Sequence, residues 1–315
     1  MKKPLIILTG PTAVGKTSLS IALAKAVNGE IISADSMQVY RHMDIGSAKI
    51  RPEEMHGVAH HLVDCLEPDE EFNVVRFQQM AKEAMEGIYA RGRIPVLVGG
   101  TGFYIQAVTG DIDFTVHGED TTYRRMLEEK AKTEGAQVLH EMLAAVDPAS
   151  AEAIHANNVK RVIRALEYYQ QTGKPISQHN EEQRQKESPY NLAYFVLNDD
   201  RSRLYERIDA RIDQMLDEGL IDEVKALKEM GYHKGMVSMQ GLGYKEILSY
   251  LDGTWSLEEA VYILKRDTRH FAKRQITWFK RERQVEWFDK QEFGYDSQAI
   301  LDAMLASLRE KKIIE

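Results

Sequence analysis

Four residues near the start of the chain have the types and the spacing of a loop that holds linked phosphates. Gly10, Gly15, Lys16 and Thr17 fit the pattern G-x-x-x-x-G-K-T inside the segment LIILTGPTAVGKTSLSIALA. The glycines let backbone N–H groups turn toward phosphate oxygens, and the dipole of the following helix adds positive charge there. The lysine would neutralise terminal phosphate oxygens, and the threonine hydroxyl would bind Mg²⁺. The segment therefore predicts a phosphate loop.

A second group of polar residues follows the next predicted strand. Glu30 to Ala34 has the pattern of a buried strand, and Asp35 ends it within SADSMQVYR. Because the carboxyl ends of parallel strands face the ligand crevice, Asp35 is predicted to lie near the phosphate loop. A carboxylate there can bind Mg²⁺, act as a general base or simply close a turn, and these alternatives stay open from the residues alone. Gln38 carries an amide suited to the edge of an adenine.

The usual partners of a phosphate loop that hydrolyses nucleotides are missing from the sequence. A Walker B strand ends in aspartate, whereas VLVGG ends in glycines that are followed by Thr101. The Asn-Lys-x-Asp signature of switch GTPases is also absent. The sequence thus predicts a loop that holds phosphates without the parts that normally cleave them.

The elements around these residues alternate between strand and helix. Strands are predicted at Leu5–Thr9, at Glu30–Ala34 and in IPVLVGG, and helices at Thr17–Val27 and Val74–Arg91. This alternation predicts an α/β fold, namely a P-loop NTPase-like parallel sheet core flanked by helices.

The pattern changes after about Asp113, where strand signals stop. Up to about Asn191 only polar helices are predicted, at Tyr123–Ala145 and Ala149–Gln171. Strand character returns in NLAYFVLN, and long helices follow at Arg203–Met230 and Leu257–Arg283. We therefore expect a core formed by residues 1–113 and 192–315, interrupted by an all-helical insertion domain at residues 114–191.

Composition narrows the class of protein. A hydrophobic content of 43% over 315 residues is enough for a sizeable core. The single cysteine, Cys65, excludes a disulfide framework and a cysteine-based zinc site. The apolar run after Met1 stops at Gly10, too short for a signal peptide, and no other run could span a bilayer. We expect a soluble, cytoplasmic protein, whose net charge of −8 still permits one basic face.

Seven short motifs together resemble those of the bacterial tRNA dimethylallyltransferases, also called tRNA isopentenyltransferases. They span residues 10 to 279 in the order of that family: GPTAVGKT, SADSMQVYR, HHLVD, GGTGFY, NNVKRVIRALE, QGLGYKE and FAKRQITWF. Each motif alone is weak evidence, but all seven in order are highly specific. The C-terminal zinc finger of the eukaryotic relatives has no counterpart, because the cysteines are missing.

The resemblance implies an enzyme that transfers a dimethylallyl group from dimethylallyl diphosphate to the exocyclic amine of the adenosine at tRNA position 37, next to the anticodon. The phosphate loop would hold the diphosphate as leaving group, which agrees with the missing Walker B aspartate. By the same resemblance Asp35 is the base that accepts the amine proton, and Gln38 reads the flipped adenine. Thr101 lines the channel where the substrates meet, and Arg211 of YERIDARI reaches the diphosphate.

The resemblance also implies a set of site residues and partners. The expected catalytic residues are Lys16, Asp35 and Thr101. The expected diphosphate ligands are Gly10, Pro11, Thr12, Ala13, Val14, Gly15, Lys16, Thr17 and Arg211. The expected tRNA contacts are Asp35, Ser36, Met37, Gln38, Thr101, Arg124, Lys160, Arg161, Arg164, Gln240, Gly243 and Lys245. Mg²⁺ on Thr17 is the expected cofactor, tRNA (through its anticodon stem-loop) and dimethylallyl diphosphate are the partners, and the chain is expected to act as a monomer away from membranes.

Alternative interpretations remain open at this level. Relatives within the family prenylate free adenine nucleotides, although a long helical insertion favours tRNA. A small-molecule kinase would share the loop but would need an arginine-rich lid. A nucleotide-gated RNA-binding protein gives no reason for Asp35. The basic residues Lys160, Arg161 and Arg164 could also be ordinary solvated surface, and Trp278 and Phe279 are expected in the core.

Overall fold

The computed structural model describes residues 2–114 and 122–315. These residues form two compact units. The first contains the chain up to Thr109 and again from Ser188 to Glu315, and the second contains Gly110–Glu187. Both limits of the second unit precede the predicted limits of 114 and 191. Residues 115–121, which fall inside the predicted insertion, lie outside the described residues.

The first unit is built on a six-stranded sheet in which every pair of neighbouring strands is parallel. The order across the sheet is β3-β2-β4-β1-β5-β6. The strands are β1 (Lys3–Thr9), β2 (Gly29–Ala34), β3 (His60–His61), β4 (Ile94–Gly99), β5 (Tyr190–Asn198) and β6 (Val285–Asp289). The predicted α/β fold is confirmed, and two edge strands, β3 and β6, were missed.

The register of the sheet brings the ends of three strands into one row. Thr9 at the end of β1 is paired with Gly99 at the end of β4, and Gly99 is paired in turn with Ala34 at the end of β2. The residues that follow these strand ends are Gly10, Gly100 and Asp35. The carboxyl edge of the sheet therefore assembles the segments that the sequence singled out.

Helices surround this sheet because the chain alternates between buried strands and amphipathic segments. The helices of the first unit are α1 (Lys16–Ala26), α2 (Val74–Ala90), α3 (Gly102–Thr109), α9 (Arg201–Asp217), α10 (Leu220–Glu229), α11 (Tyr244–Leu251), α12 (Leu257–Phe279) and α13 (Ser297–Glu310). Short 3₁₀ turns lie at Pro52–Met55 and Ser238–Gln240. The single helix predicted over Arg203–Met230 is divided at Gly219, which has a φ of 101° that a continuing helix cannot accept.

The described residues of the second unit contain helices and no strand. These helices are α4 (Thr122–Thr133), α5 (Ala136–Val146), α6 (Pro148–Ala153), α7 (Val159–Thr172) and α8 (Ile176–Gln185). Gly135, with a φ of 94°, separates α4 from α5, where one long helix was predicted. The unit has its own core, formed around Leu127, Leu139, Leu143, Val162 and Leu166. The second unit therefore has a hydrophobic core that is separate from the core of the first unit.

Across the parts of the chain that the structure describes, no helix is both long enough and apolar enough to cross a membrane.

Candidate active site

The phosphate loop occupies the turn between β1 and α1. Gly15 precedes the first helical residue with a φ of 99°, and Gly10 has a φ of 144°. A Cβ at Gly10 would lie 2.2 Å from the carbonyl oxygen of Leu197 in β5, so the close approach of β5 requires glycine there. Ala13 also has a positive φ, of 62°. The loop is thus closed by backbone conformations that few other residues adopt at low cost.

A cavity of about 540 Å³ opens at the carboxyl edge of the sheet, within the first unit. Its lining includes residues of the phosphate loop, of the segment after β2, of the turn after β4 and of helices α9 and α12. From the loop come Thr12, Ala13, Gly15, Lys16 and Thr17. From the other segments come Ser33, Asp35, Gln38, Ser47, Ala48, Val98, Gly99, Gly100, Arg207, Ala210, Arg211, Gln214, Phe271 and Gln275. A cavity of this size accommodates a small organic diphosphate.

Lys16 is held over the loop by the loop's own carbonyl groups. Its Nζ donates hydrogen bonds of 2.9 Å to the oxygen of Gly10 and 2.8 Å to that of Pro11. Burial, followed by the nearby charge of Arg211, lowers the pKa of Lys16 to about 8, against a smaller opposing effect of Asp35. An anion in the loop would restore the stability of the ammonium form, so the site is set to receive negative charge.

Arg211 and Arg207 project from the same face of α9, one helical turn apart, and both line the cavity. Burial lowers the pKa of Arg211, while the carboxylate of Asp35 raises it and the charge of Arg207 lowers it further. Arginine remains protonated under such shifts. The cavity therefore contains an excess of positive charge around a single interacting carboxylate.

Asp35 closes a turn with one carboxylate oxygen and also lines the cavity. Its Oδ1 accepts hydrogen bonds of 2.8 Å from the backbone N–H of Met37 and 3.3 Å from that of Gln38. Among the described residues, no group donates to its Oδ2. The predicted turn role and a chemical role are consequently compatible, because they use different atoms of the carboxylate. Ser36 lies in the same half-buried turn.

Gln38 has a defined amide orientation. Its Nε2 donates to the backbone oxygens of Ser47 (3.4 Å) and Ala48 (3.2 Å), and its Oε1 accepts from the hydroxyl of Ser33 at 3.3 Å. The two carbonyl groups demand the donor end of the amide. The Oε1 atom keeps capacity for a second donor, such as the exocyclic amine of an adenine.

The loop that orients Gln38 is itself anchored by α10 and α11. Glu223 accepts hydrogen bonds from the backbone N–H groups of Asp44 (2.9 Å), Ile45 (2.7 Å) and Gly46 (3.1 Å). The hydroxyl of Tyr244 donates to Glu223 at 2.8 Å and accepts from the N–H of Ser47 at 3.1 Å. The backbone N–H groups of residues 44 to 47 therefore all donate to side chains of α10 and α11, which fixes this part of the loop.

The motif QGLGYKE is largely structural in this arrangement. Tyr244 is buried, and Gly241 lies where a Cβ would meet the Met37 side chain at 2.5 Å. Gly243 is buried as well, with a φ of 94°. Nζ of Lys245 forms an ion pair of 3.3 Å with Oε1 of Glu246. Gln240 is exposed, and its Nε2 donates to the backbone oxygen of Lys234. The motif thus supports the segment that contains Met37 and Gln38 from behind.

The glycines of GGTGFY have a packing reason that explains the missing Walker B aspartate. A Cβ at Gly99 would lie 2.2 Å from the oxygen of Ala34, and a Cβ at Gly100 would lie 2.1 Å from Nε2 of Gln275. There is no room for a side chain at either position. Thr101 follows, and its N–H donates to the oxygen of Ala34 at 3.3 Å, which places it beside Asp35 in the row of strand ends.

The basic candidates of the second unit differ in exposure. Lys160 and Arg161 are exposed on the first turn of α7, and Arg164 is half-buried. Burial lowers the pKa of Arg164, and the charge of Glu167 opposes this shift by raising the pKa. Arg124 forms a two-pronged ion pair with Glu167, at 2.9 Å and 2.7 Å, so its side chain also stabilises the unit.

The donors for a metal ion are few. The described residues contain no group of three or more histidine, cysteine, aspartate or glutamate side chains that could hold a metal. Thr17 is exposed and lines the cavity. This donor set fits Mg²⁺ held mainly by diphosphate oxygens and water, which is a usual way for this ion to bind.

Sequence reasoning missed several residues of the cavity. Arg207, Ser33 and Gln275 line it but had not been selected. Arg207 carried a usable signal, because it precedes Arg211 by one helical turn. Gln275 lies in FAKRQITWF, far from the loop in sequence, and only its contacts identify it. In the same motif Phe279 is buried, as expected, whereas Trp278 is half-buried and packs near Phe103.

The chain is similar to known proteins along nearly its whole length. A family described as IPP transferase matches residues 38–282, and one described as isopentenyl transferase matches residues 3–65. It is 66% identical to a tRNA dimethylallyltransferase of Lachnoclostridium phytofermentans, covering 99% of this chain and 100% of that protein. It is 53% identical to a tRNA dimethylallyltransferase of Carboxydothermus hydrogenoformans, covering 92% of this chain and 93% of that protein.

Solved structures give the same result. The fold is similar to that of a tRNA isopentenylpyrophosphate transferase from Bacillus halodurans, with a TM-score of 0.74, 47% identity and coverage of 99% of this chain and 98% of that one. It is also similar to a eukaryotic dimethylallyltransferase whose crystal structures show it acting on tRNA. That match has a TM-score of 0.79 and 32% identity, and covers 91% of this chain and 74% of the other.

Proposed function

The chain belongs to the IPP transferase family, and from this membership we propose that it transfers a dimethylallyl group from dimethylallyl diphosphate to the exocyclic amine of adenosine 37 in tRNA, next to the anticodon. It is a transferase that modifies tRNA. The observation that carries the proposal is that one cavity is lined by the phosphate loop, by Lys16 and Arg211, and by the carboxylate-bearing Asp35. Such a cavity suits a reaction that releases diphosphate and a proton together.

The electrophile is bound by its diphosphate. The N–H groups of the loop, Lys16 and Arg211 surround the phosphates and neutralise the charge that grows on the leaving oxygen as the bond to the allylic carbon breaks. Mg²⁺ on Thr17 would supply further neutralisation of the diphosphate. Because the positive groups are already in position, little reorganisation is needed during the reaction.

The nucleophile is an adenine amine, which is a poor nucleophile. The base must leave its stack and enter the cavity, which costs less in a loop than in a duplex. Gln38 would accept a hydrogen bond from the amine through Oε1. As the amine nitrogen forms its bond to the allylic carbon, Oδ2 of Asp35 would take the proton, and Thr101 would line the meeting point of the substrates.

Contacts with the rest of the tRNA would come from two sets of residues. Ser36, Met37, Gln240, Gly243 and Lys245 belong to the segments around Gln38. Arg124, Lys160, Arg161 and Arg164 belong to the second unit. The phosphates of the anticodon stem-loop are the natural partners of the second set. We also propose that the chain acts as a monomer, since one chain supplies the whole cavity, and in the cytoplasm, where tRNA is found.

One assay tests the proposal. Purified protein, Mg²⁺, unmodified tRNA and labelled dimethylallyl diphosphate are incubated with AMP and ATP as competing acceptors. We expect the label on adenosine 37 of tRNA, with inorganic diphosphate released in equal amount. Label on AMP or ATP in preference to tRNA would favour the free-nucleotide enzymes, and sustained ATP hydrolysis at a comparable rate would favour a kinase.

A further inference from the structure

Two cations donate hydrogen bonds to carbonyl groups of the phosphate loop. Nε of Arg207 donates a hydrogen bond of 2.9 Å to the backbone oxygen of Ala13. Nζ of Lys290 donates one of 3.3 Å to the backbone oxygen of Val14. These two carbonyl groups are adjacent in the chain, so two consecutive peptide units of the loop are each held by a cation.

Both cations are themselves positioned by the fold. Arg207 lies on α9, which is anchored in the core by the buried side chains of Leu204 and Ile208. Lys290 directly follows β6, and its backbone N–H donates to the oxygen of Asn198 at the end of β5. The Lys290 side chain is only 13% exposed and lies 3.9 Å from the buried carboxylate of Asp199. The side chains that make these two contacts are therefore held by the sheet and by a packed helix rather than by a surface loop.

Peptide geometry relates the contact at Val14 to the N–H of Gly15. In a trans peptide unit the C=O and the following N–H point in opposite directions, and residues 2–114 and 122–315 contain no cis peptide bond. A carbonyl of Val14 that is turned toward Lys290 turns the N–H of Gly15 the other way. Gly15 lines the cavity, and within the described part of the chain its N–H has no acceptor.

We infer that Arg207 and Lys290 are positioning residues that clamp carbonyl groups of the phosphate loop, an inference that rests on the proposed function. Arg207 fixes the peptide unit after Ala13, and Lys290 aims the N–H of Gly15 at the diphosphate. The clamp also polarises the same peptide units, because a cation on a carbonyl strengthens the donor at the other end of the unit. Ala13, in a left-handed conformation, is the point at which the loop most needs such support.

Arg207 and Lys290 can act through their hydrogen-bond donors or through their charges, and substitutions separate the two. A clamp needs a hydrogen-bond donor at the end of the side chain, whereas a direct ligand of the diphosphate needs a positive charge. Glutamine has the donor without the charge, and methionine has neither. Glutamine should therefore restore much of what methionine removes if the residues act as clamps, and nothing if they touch the diphosphate.

The experiment is a calorimetric titration of the full chain with inorganic pyrophosphate in the presence of Mg²⁺, without tRNA. We expect Arg207→Met and Lys290→Met each to weaken pyrophosphate binding about tenfold, which corresponds to one hydrogen bond with a charged group. Arg207→Gln should recover most of that loss, because glutamine Nε2 lies as many bonds from the backbone as arginine Nε. Lys290→Gln, whose donor is one bond shorter than the lysine Nζ, should recover part of it. Lys290→Arg, which keeps donor and charge, guards against a packing defect at this less exposed position.

Arg203 is the matched control. It lies one turn before Arg207 on α9 and stacks on Tyr295 at 3.8 Å instead of touching the loop. Arg203→Met should change pyrophosphate binding less than twofold. Methionine variants that bind like the native chain, or glutamine variants as weak as the methionine variants, would overturn the inference alone. Failure of the native chain to bind pyrophosphate would overturn the proposed function as well.

Discussion

Oε1 of Gln275 accepts a hydrogen bond of 2.8 Å from the backbone N–H of Thr12. Through Nε2 the same side chain donates to the oxygen of Gly100 at 3.0 Å. One buried amide on α12 thus joins the phosphate loop to the turn that leads to Thr101. The segments that would hold the two substrates are fixed to each other by a residue that neither motif contains.

Replacing Gln275 by leucine should lower the free energy of unfolding by about 1–3 kcal/mol, because a backbone N–H and a carbonyl lose their partner in a buried place. Urea denaturation measures this loss. Gln137→Leu on the exposed face of α5 should cost less than about 0.5 kcal/mol. A similar small cost for Gln275→Leu would mean that water replaces the amide and that the connection does not matter for stability.

Affinity for dimethylallyl diphosphate should depend on pH through Lys16. The pKa of Lys16 is lowered to about 8, so the free loop loses this proton as the pH rises through that value. Diphosphate favours the charged form, and its affinity should consequently be constant at lower pH and fall above about pH 8. We expect KM for dimethylallyl diphosphate to rise there in the native enzyme and to stay flat in Lys16→Arg.

Removing the Lys16 side chain should reduce activity more than deprotonating it at high pH. Lys16→Ala should lower the rate of prenyl transfer at least tenfold, roughly 1.4 kcal/mol or more. Lys25→Ala, on the exposed side of the same helix, serves as control. Identical pH profiles for the native enzyme and Lys16→Arg would exclude Lys16 as the titrating group.

Asp35→Asn should separate the turn from the chemistry. Asparagine retains Oδ1, which accepts from Met37 and Gln38, but it cannot take a proton at the second position. The rate of prenyl transfer should fall by about 10²–10⁴-fold, the usual contribution of a general base, with little change in diphosphate affinity. Single-turnover kinetics with saturating tRNA measures it.

A metal titration of Asp35→Asn distinguishes the remaining roles. Weaker diphosphate binding that excess Mg²⁺ partly restores would assign Asp35 to the metal, and near-normal transfer would leave it a turn residue. Asp200→Asn is a close control. Asp200 also accepts from two backbone N–H groups through Oδ1, at the start of α9, and does not line the cavity.

Lys160 and Arg161 should contribute to tRNA affinity and little to chemistry. Changing both to alanine removes two exposed cations, so the slope of log affinity against log salt should become shallower by about one to two units. Filter binding across a salt series gives the slope. The control is alanine at Lys130 and Lys132, two lysines of α4 that each form an ion pair with a nearby glutamate. An unchanged slope would return Lys160 and Arg161 to ordinary solvated surface.

Tyr244→Phe should affect tRNA more than dimethylallyl diphosphate. The change removes one hydroxyl that links Glu223 to the N–H of Ser47 and so loosens the carbonyls that orient Gln38. We expect a several-fold higher KM for tRNA, corresponding to about 1 kcal/mol, and an unchanged KM for the diphosphate. Tyr250→Phe, on the same helix outside this network, is the control. Equal changes in both KM values would point to a general loss of structure.

The sequence by itself determined the class of fold, and it predicted several residues that the structure brings to one cavity. Glycines at fixed spacing before Lys16 and Thr17 have few uses other than a phosphate loop, and the alternation of strands and helices leaves few topologies. Asp35 was found because parallel strands present their carboxyl ends on one edge, and the register of Ala34 with Gly99 and of Gly99 with Thr9 confirms that relation.

Only the tertiary structure decided what surrounds those residues. Gln275 and Lys290 reach the loop across 263 and 276 residues of chain, and no local pattern marks such contacts. The edge strands β3 and β6 were missed since two and five residues carry too little periodicity. The helix breaks at Gly135 and Gly219 depend on a positive φ at single glycines. A helix also tolerates a glycine with helical φ at moderate cost, so the residue type alone does not predict a break. Side-chain partners are chosen by packing in three dimensions, and the sequence records that choice only as residue types without saying which of them meet.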